Sequence, residues 1–538
     1  MSSGERVPPV EPVLELADIQ GIAVPGFLKQ AQTLLGVRIP EGEEALENFK
    51  ETLGGVIDGL GTGRAVLDDR RAFRRLKREK NERYPERKDP VVFLAVALSY
   101  VGLAKLIPGA DEIPSEAFRR GLVQRSPLLG DPTDPGDEGS PAKWMVGAPG
   151  GELDALFVLA GDERHDVNEK AERLAELLRR SGVELLYREE GDTLPGDLKG
   201  HEHFGFDDGV SQPGIRGRAS DAECDFITDR HVAPSEVPAT WLYGYPGQDL
   251  VWPGEFVIGY PKTSPDPLLA GLADTSFPGW ARNGSFLVFR RLRQDVGLFW
   301  RTLRDLAKDL SEKPGFSLSD EEVASRLVGR WRSGAPVNRV PAHDDPSLGR
   351  DPLANNDFGF DSDTPRLELD PPASQPFPRA KADPVGITCP WAAHIRKVNT
   401  RDSSSDVGAT DSRYSRRLLR VGIPFGKPLA DRYADSSEDP DAKNRGLLFL
   451  SIQASIEEQF EFLVARWVND PARPKMPGGH DLLIGQNTPI PDHTRRATIF
   501  GENFAQAELS TIEQWVIPTG GGYFFVPSLS ALREVICR

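Results

Sequence analysis

Cysteine and methionine are scarce in this chain: Cys224, Cys389 and Cys537, with Met1, Met145 and Met476, are the only examples. An odd, scattered set of thiols makes neither a disulfide framework nor a Cys-x-x-Cys metal site, which predicts a reducing compartment, the cytoplasm. Few methionines leave little to oxidise to sulfoxide. That suits an enzyme that handles oxidants, and it suits plain compositional bias. No stretch approaches the ~18 consecutive apolar residues of a membrane span. Met1 to Pro12 has no basic segment leading into an apolar one, so no signal peptide is expected. Basic charge is in deficit, with 65 Lys and Arg against 82 Asp and Glu, a net charge of −17. Phosphate backbones need clustered Lys and Arg, so nucleic acid is excluded as a partner. Anionic substrates are disfavoured at a distance, and neutral or cationic ones are not.

What is present is enough for globular packing: 538 residues, 38% of them apolar. That length exceeds one ordinary core and predicts two domains or a duplicated unit. Residues 1–14 read as a polar, proline-rich tail. Thr33 to Ile39 predicts a strand, Glu41 to Ile57 a helix with acids near its start, and Val91 to Leu106 a buried strand running into a helix. The basic run Arg70 to Arg87 reads as the solvated face of a helix. Ala155–Gly161, Asp166–Ser181 and Val183–Tyr187 predict strand, helix and strand. The same logic returns later, with strands at Ser285–Arg290, Leu447–Ile452 and Gly522–Val526 and helices at Gln294–Leu310 and Ile456–Val468. The two halves look alike, each an α+β sandwich with helices on one side of a sheet. Pro336 to Pro384, full of Asp and Pro, reads as a long irregular insertion.

Three stretches carry chemistry. In Gly205-Phe206-Asp207-Asp208-Gly209-Val210-Ser211-Gln212-Pro213, two glycines bracket a carboxylate pair on a tight loop that a ligand can reach. An ordinary Asp-Gly turn has the same composition. In Cys389-Pro390-Trp391-Ala392-Ala393-His394, small residues leave room beside a histidine, enough for a flat cofactor. A lone histidine is otherwise a satisfied structural residue. In Arg417-Leu418-Leu419-Arg420-Val421-Gly422-Ile423-Pro424, an arginine sits on an apolar run ending in a Gly/Pro turn.

Taken together, these stretches resemble the dye-decolourising peroxidases, a family of haem peroxidases. Gly205 to Gly209 matches the family's GxxDG motif within His203-Phe204-Gly205-Phe206-Asp207-Asp208-Gly209. Asp18-Ile19-Gln20-Gly21, Asn283 to Phe289 and Gly521 to Pro527 match as well, so the resemblance spans roughly residues 18–530. Its length is most similar to the subclass that includes fungal enzymes. The resemblance implies two ferredoxin-like domains, 15–215 and 216–538, with one haem b held mainly by the second. It implies His394 as the iron ligand, Asp481 as acceptor for the other ring N–H, and Asp208 with Arg420 as catalytic pair on the opposite face. It places Gly209, Val210, Ser211 and Gln212 beside the cofactor, Arg420 near a propionate, and Leu447 and Phe449 as apolar walls. Asp207 is read as a loop residue, and His201-Glu202-His203 as holding no metal. Trp241, Tyr243, Trp252 and Trp280 are candidates for relaying oxidising equivalents to bulky substrates.

The expected activity is reduction of hydrogen peroxide with oxidation of dyes, phenols and Mn(II). A haem-binding or haem-processing protein with little turnover is the alternative. A hydrolase using Asp207 and Asp208 together is disfavoured, because adjacent strand residues point opposite ways.

Overall fold

The computed structural model describes residues 8–538 apart from 84, 88, 236–237, 409, 436–438, 440, 477 and 489. Of the expected tail 1–14, residues 1–7 lie outside the described residues. Glu11 and Leu14 are buried, and Glu11 pairs with Arg230 at 2.7 Å.

The N-terminal half runs strand β1 (Ala31–Arg38), helix α1 (Glu43–Ile57), helix α2 (Gly63–Lys80), β2 (Val92–Leu98), β3 (Ala155–Gly161), helix α3 (Arg164–Arg180) and β4 (Glu184–Asp192). The C-terminal half runs β5 (Ser285–Gln294), helix α4 (Val296–Ser311), β6 (Leu419–Arg420), β7 (Ile423–Phe425), β8 (Gly446–Gln453), the π-type helix α5 (Ile456–Val468) and β9 (Val516–Val526). Helix starts follow local chemistry. Thr62 caps α2 by accepting from Ala65 N–H, Asp295 caps α4 at Leu298 N–H, and Ser455 caps α5 at Glu458 N–H.

The strands form one nine-stranded sheet in the order β6-β8-β7-β4-β1-β3-β2-β9-β5, and β8 also pairs with β5. The sheet therefore closes on itself as a barrel. Each half keeps the ferredoxin-like order of its own fourth, first, third and second strands: β4-β1-β3-β2 and β9-β5-β8-β7. The expected duplication of α+β units is present. The two sheets, one from each ferredoxin-like half, join edge to edge. Each seam is a single residue pair, Gly191↔Phe425 between β4 and β7, and Leu98↔Phe525 between β2 and β9. Gly191 permits the first seam, since a Cβ there would lie 2.3 Å from Ile423 Cγ2.

A backbone hydrogen bond contributes about 1 kcal/mol net, whereas each buried Leu, Ile or Phe contributes about 1.5–3 kcal/mol. Packing inside the barrel, rather than the seams, therefore holds the halves together. Strand alternation sends Leu34, Phe93, Leu156, Val158, Leu287, Phe289, Leu448 and Leu450 inward, where they form one buried cluster. Leu35, Val37, Phe157 and Leu159 point outward and pack against Phe49, Leu53, Leu174 and Leu178 of α1 and α3.

The basic run is also corrected. It is no bare solvated face: Arg71 pairs with Asp225 at 2.8 Å, Arg74 pairs with Asp229, and Arg83 pairs with Asp207 at 2.7 Å. The insertion 336–384 has little regular structure yet its own small core, including Val337, Leu348, Phe358 and Phe360.

Candidate active site

On the outer face of the C-terminal half, the helices stand off the sheet and leave a cavity. It holds about 1980 Å³ of empty space, counting its open mouth. Its walls come from Arg290, Leu292 and Gln294 on β5, Leu447 and Phe449 on β8, one side of α5, the segment from His394 to Arg401, and the loop from Glu202 to Ser211. The strand register sets Phe449 beside Arg290 and Leu447 beside Leu292. Leu448 and Leu450 turn the other way, into the barrel.

His394 opens the short helix His394–Val398, directly after buried Cys389, Trp391, Ala392 and Ala393. Its Nδ1 lies 2.8 Å from Asp481 Oδ2. Asp481 is fully buried, and its Oδ1 accepts the N–H groups of Leu483 (2.9 Å) and Ile484 (3.1 Å). A carboxylate held this way places the imidazole proton on Nδ1. Among the described residues no group bonds Nε2, and His394 lines the cavity.

The loop bearing Asp208 is bracketed by Gly205 at φ 94° and Gly209 at φ 81°, the left-handed region that glycine enters without cost. A Cβ at Gly205 would meet Arg332 Nη2 at 2.8 Å, whereas one at Gly209 would meet nothing within 4 Å. Asp208 N–H donates to Gly200 O (3.1 Å), and its Oδ1 accepts from Gly209 N–H (2.6 Å) and Arg420 Nη1 (3.2 Å). Asp208, Gly209, Val210, Ser211 and Arg420 all line the cavity.

Gln212 does not line the cavity. It braces Arg420 instead: its Nε2 donates to Arg420 O (2.7 Å) and its Oε1 accepts Arg420 N–H (3.2 Å). Asp207 is more than a loop residue. It is buried against Arg83, and burial still pushes its carboxyl up. His203 is buried with Nε2 2.8 Å from Phe425 O, and burial pushes it down to about 4, so it stays neutral. Among the described residues no cluster of three or more His, Cys, Asp or Glu offers a metal site. Trp252 is buried with its indole N–H on Pro267 O, while Trp241, Tyr243 and Trp280 are half-buried.

Residues to which the sequence assigns no part in the site also line the cavity. They include Glu202, Gln294, the buried pair Arg290–Asp131 (2.9 Å), and the buried arginines Arg330 and Arg401. A glutamate three residues before a Gly205 turn is the one local signal that marks Glu202.

The sequence matches the family described as the DyP dimeric alpha+beta barrel domain over residues 18–195. It is 30% identical over 530 residues to the dye-decolorizing peroxidase msp1 of Mycetinis scorodonius, covering 97% of this chain and 88% of that one. It is 32% identical over 452 residues to the multifunctional dye peroxidase DyP2 of an Amycolatopsis strain, 82% of each. The solved structure of an ancestral D-type dye decolorizing peroxidase aligns at TM-score 0.72 and 31% identity, covering 97% of this chain and 99% of that one. A dye-decolorizing peroxidase in complex with 2,6-dimethoxyphenol aligns at TM-score 0.71 and 26% identity, covering 98% and 100%.

Fold and relatives together define an α+β haem peroxidase. Within that class the chain belongs to the dye-decolourising peroxidases, in the long form that includes fungal enzymes.

The cavity fits the family's cofactor. It offers a histidine Nε2, apolar walls at Leu292, Leu447 and Phe449, and buried guanidinium groups for an anionic edge. Among the described residues no helix is long and apolar enough to cross a membrane.

Proposed function

We propose that this protein binds haem b in the cavity and uses hydrogen peroxide to oxidise dyes and phenols. One observation carries the reading. The Asp481-held His394 and the Asp208–Arg420 pair line the same cavity. When bound, haem supplies the redox chemistry. His394 Nε2 would hold the iron, with Asp481 keeping the proton on Nδ1 and making the imidazole a stronger donor. Asp208 takes a proton from peroxide and returns it to the departing oxygen. Arg420 cannot lose its charge, so it stabilises the negative charge that develops there. Gly209, Val210 and Ser211 border the cofactor, while Gln212 acts through Arg420.

The C-terminal unit, 216–538, carries the iron ligand and Arg420. The N-terminal unit, 15–215, lends the loop of Asp208. Phenols are proposed on the likeness to the dimethoxyphenol complex. All three cysteines are free thiols, which supports a cytoplasmic setting.

His394→Ala tests the reading. The variant should fold, since His394 sits at a helix start facing the cavity, and should lose the Soret band and dye turnover together. Full haem occupancy with an unchanged spectrum would overturn the ligand assignment.

A further inference from the structure

Glu202 has no part in the proton transfer above, yet its side chain borders the cavity and the loop of Asp208. Its Oε1 accepts Phe206 N–H (2.9 Å), and its Oε2 accepts Phe204 N–H (2.8 Å) and the Nε2 amide of Gln294. Its main chain closes the same turn, with Glu202 N–H donating to Phe206 O (3.0 Å) and Gly205 N–H to Glu202 O (2.9 Å). Phe204 and Phe206 are thereby held against Phe299 and Trp300 of α4. The turn ends one residue before Asp207, so its shape sets where Asp208 stands.

We infer that Glu202 is the positioning residue of the Asp208 loop: its carboxylate clamps the turn 202–206 to strand β5 through Gln294, and loosening that clamp slows the reaction with peroxide. The inference rests on the proposed role of Asp208.

Two further observations bear on how the clamp behaves. Gln294 Oε1 is buried with no partner among the described residues. Burial pushes the Glu202 carboxyl up to about 7, against the pull of its loop and Gln294 hydrogen bonds, with Asp208 adding a smaller upward push. Protonated Glu202 has an O–H to offer, and a flipped Gln294 amide would accept it at the orphaned oxygen. Ionised Glu202 instead accepts all three N–H donors. The charged groups facing this region are Asp208 and Asp207 on the loop, Arg83 behind Asp207, Arg332 on the Gly205 carbonyl, Arg290 with Asp131 across β5, and Arg330 and Arg420 along the cavity. Of these, Asp207 and Asp131 are also pushed up by burial.

Hydrogen bonds to an ionised acceptor are roughly twice as strong as neutral ones. The loop is therefore held most firmly when Glu202 is ionised. In wild-type holoenzyme the second-order rate constant with peroxide should fall roughly three- to tenfold as pH drops through about 7. Glu202→Gln should react slowly and lose that inflection, and Glu202→Asp should recover part of it. A pH profile of Glu202→Gln superimposable on wild type would overturn the inference. If Glu202→Gln does not fold, infrared spectroscopy of wild type and Gln294→Leu decides. The wild type should show a protonated-carboxyl band titrating near 7, and Gln294→Leu should move its midpoint upward, since it removes a donor to the ionised form. A band that does not move would overturn the clamp. Asp208→Asn in parallel separates this inference from the reading beneath it. Wild-type speed in that variant removes Asp208 as base, whereas a slow Asp208→Asn beside an unaffected Glu202→Gln removes only the clamp.

Discussion

Replacing Arg420 by leucine should cost the enzyme far more rate than stability, and the structure says why. The Arg420–Asp208 pair is 3.2 Å long, and its side chains are 31% and 42% exposed. An ion pair this open contributes at most about 1 kcal/mol to folding. The main chain of Arg420 is held separately, by two hydrogen bonds with the Gln212 side chain and by pairing with Ser451, and leucine keeps both. The reaction with peroxide is a different matter. There a fixed positive charge meets negative charge that develops in a confined cavity, and removing one such group costs about 3–4 kcal/mol, or roughly 100- to 1,000-fold in rate. Arg420→Lys keeps the charge but not the planar fork, and should lose an intermediate amount, about tenfold. The assay is stopped-flow reaction of the haem-loaded protein with hydrogen peroxide, beside thermal unfolding of the same samples. A leucine variant whose peroxide rate stays within threefold of wild type would refute the role. So would a rate loss matched by loss of haem or by an equal loss of stability.

Two other perturbations probe the supports of the site. Asp481→Asn should bind haem about 10- to 100-fold more weakly, because an amide cannot both accept the His394 proton and serve the Leu483 and Ile484 N–H groups as a carboxylate does. Haem transfer to an excess of a competing apo-globin measures this, and an unchanged transfer rate would count against Asp481. Arg83→Leu should destabilise the fold by about 1–3 kcal/mol at pH 8, since it leaves the buried Asp207 carboxylate unpaired. Burial already raises the Asp207 carboxyl. An acid raised on folding is neutral at low pH and carries its cost as pH rises through the folded value. The penalty should therefore shrink as pH falls, and an acid titration of urea unfolding in which the penalty never shrinks would contradict the pairing.

The sequence exposes the features whose cause is local. Continuous apolar runs, buried on both faces, mark most of the barrel strands, and the two α+β halves are visible as a repeat of pattern. Gly205 and Gly209 announce a left-handed loop before any coordinate is known, and the small residues before His394 announce space beside it. What stays hidden depends on contacts between distant segments. Barrel closure rests on single pairs such as Leu98↔Phe525, and no local pattern encodes those. Arg83 meets Asp207 across 124 residues of chain, so a basic run that reads as solvated turns out to lean on the loop of Asp208. Gln212 lies within the recognisable motif, and its neighbours face the cavity. Its own side chain turns to the Arg420 main chain instead, which spacing alone does not reveal.

The two halves show how one fold carries a packed core on one side and a cavity on the other. Strands β1 and β3 present Leu35, Val37, Phe157 and Leu159 to their helices, and these residues close into a buried cluster with α1 and α3. The corresponding outward positions of β5 and β8 carry Arg290, Leu292, Gln294, Leu447 and Phe449. Arginine and glutamine there cannot be sealed under an apolar helix without partners, because an unpaired buried polar group costs about 1–3 kcal/mol. Asp131 accepts from Arg290 and Glu202 from Gln294, both supplied by segments of the N-terminal half, while Arg290 Nη1 and Gln294 Oε1 stay without a partner among the described residues. Those two polar positions thus do double duty. They line the cavity, and they anchor two segments of the N-terminal half to its wall: Arg290 holds Asp131, and Gln294 holds Glu202 in the turn that leads to Asp208.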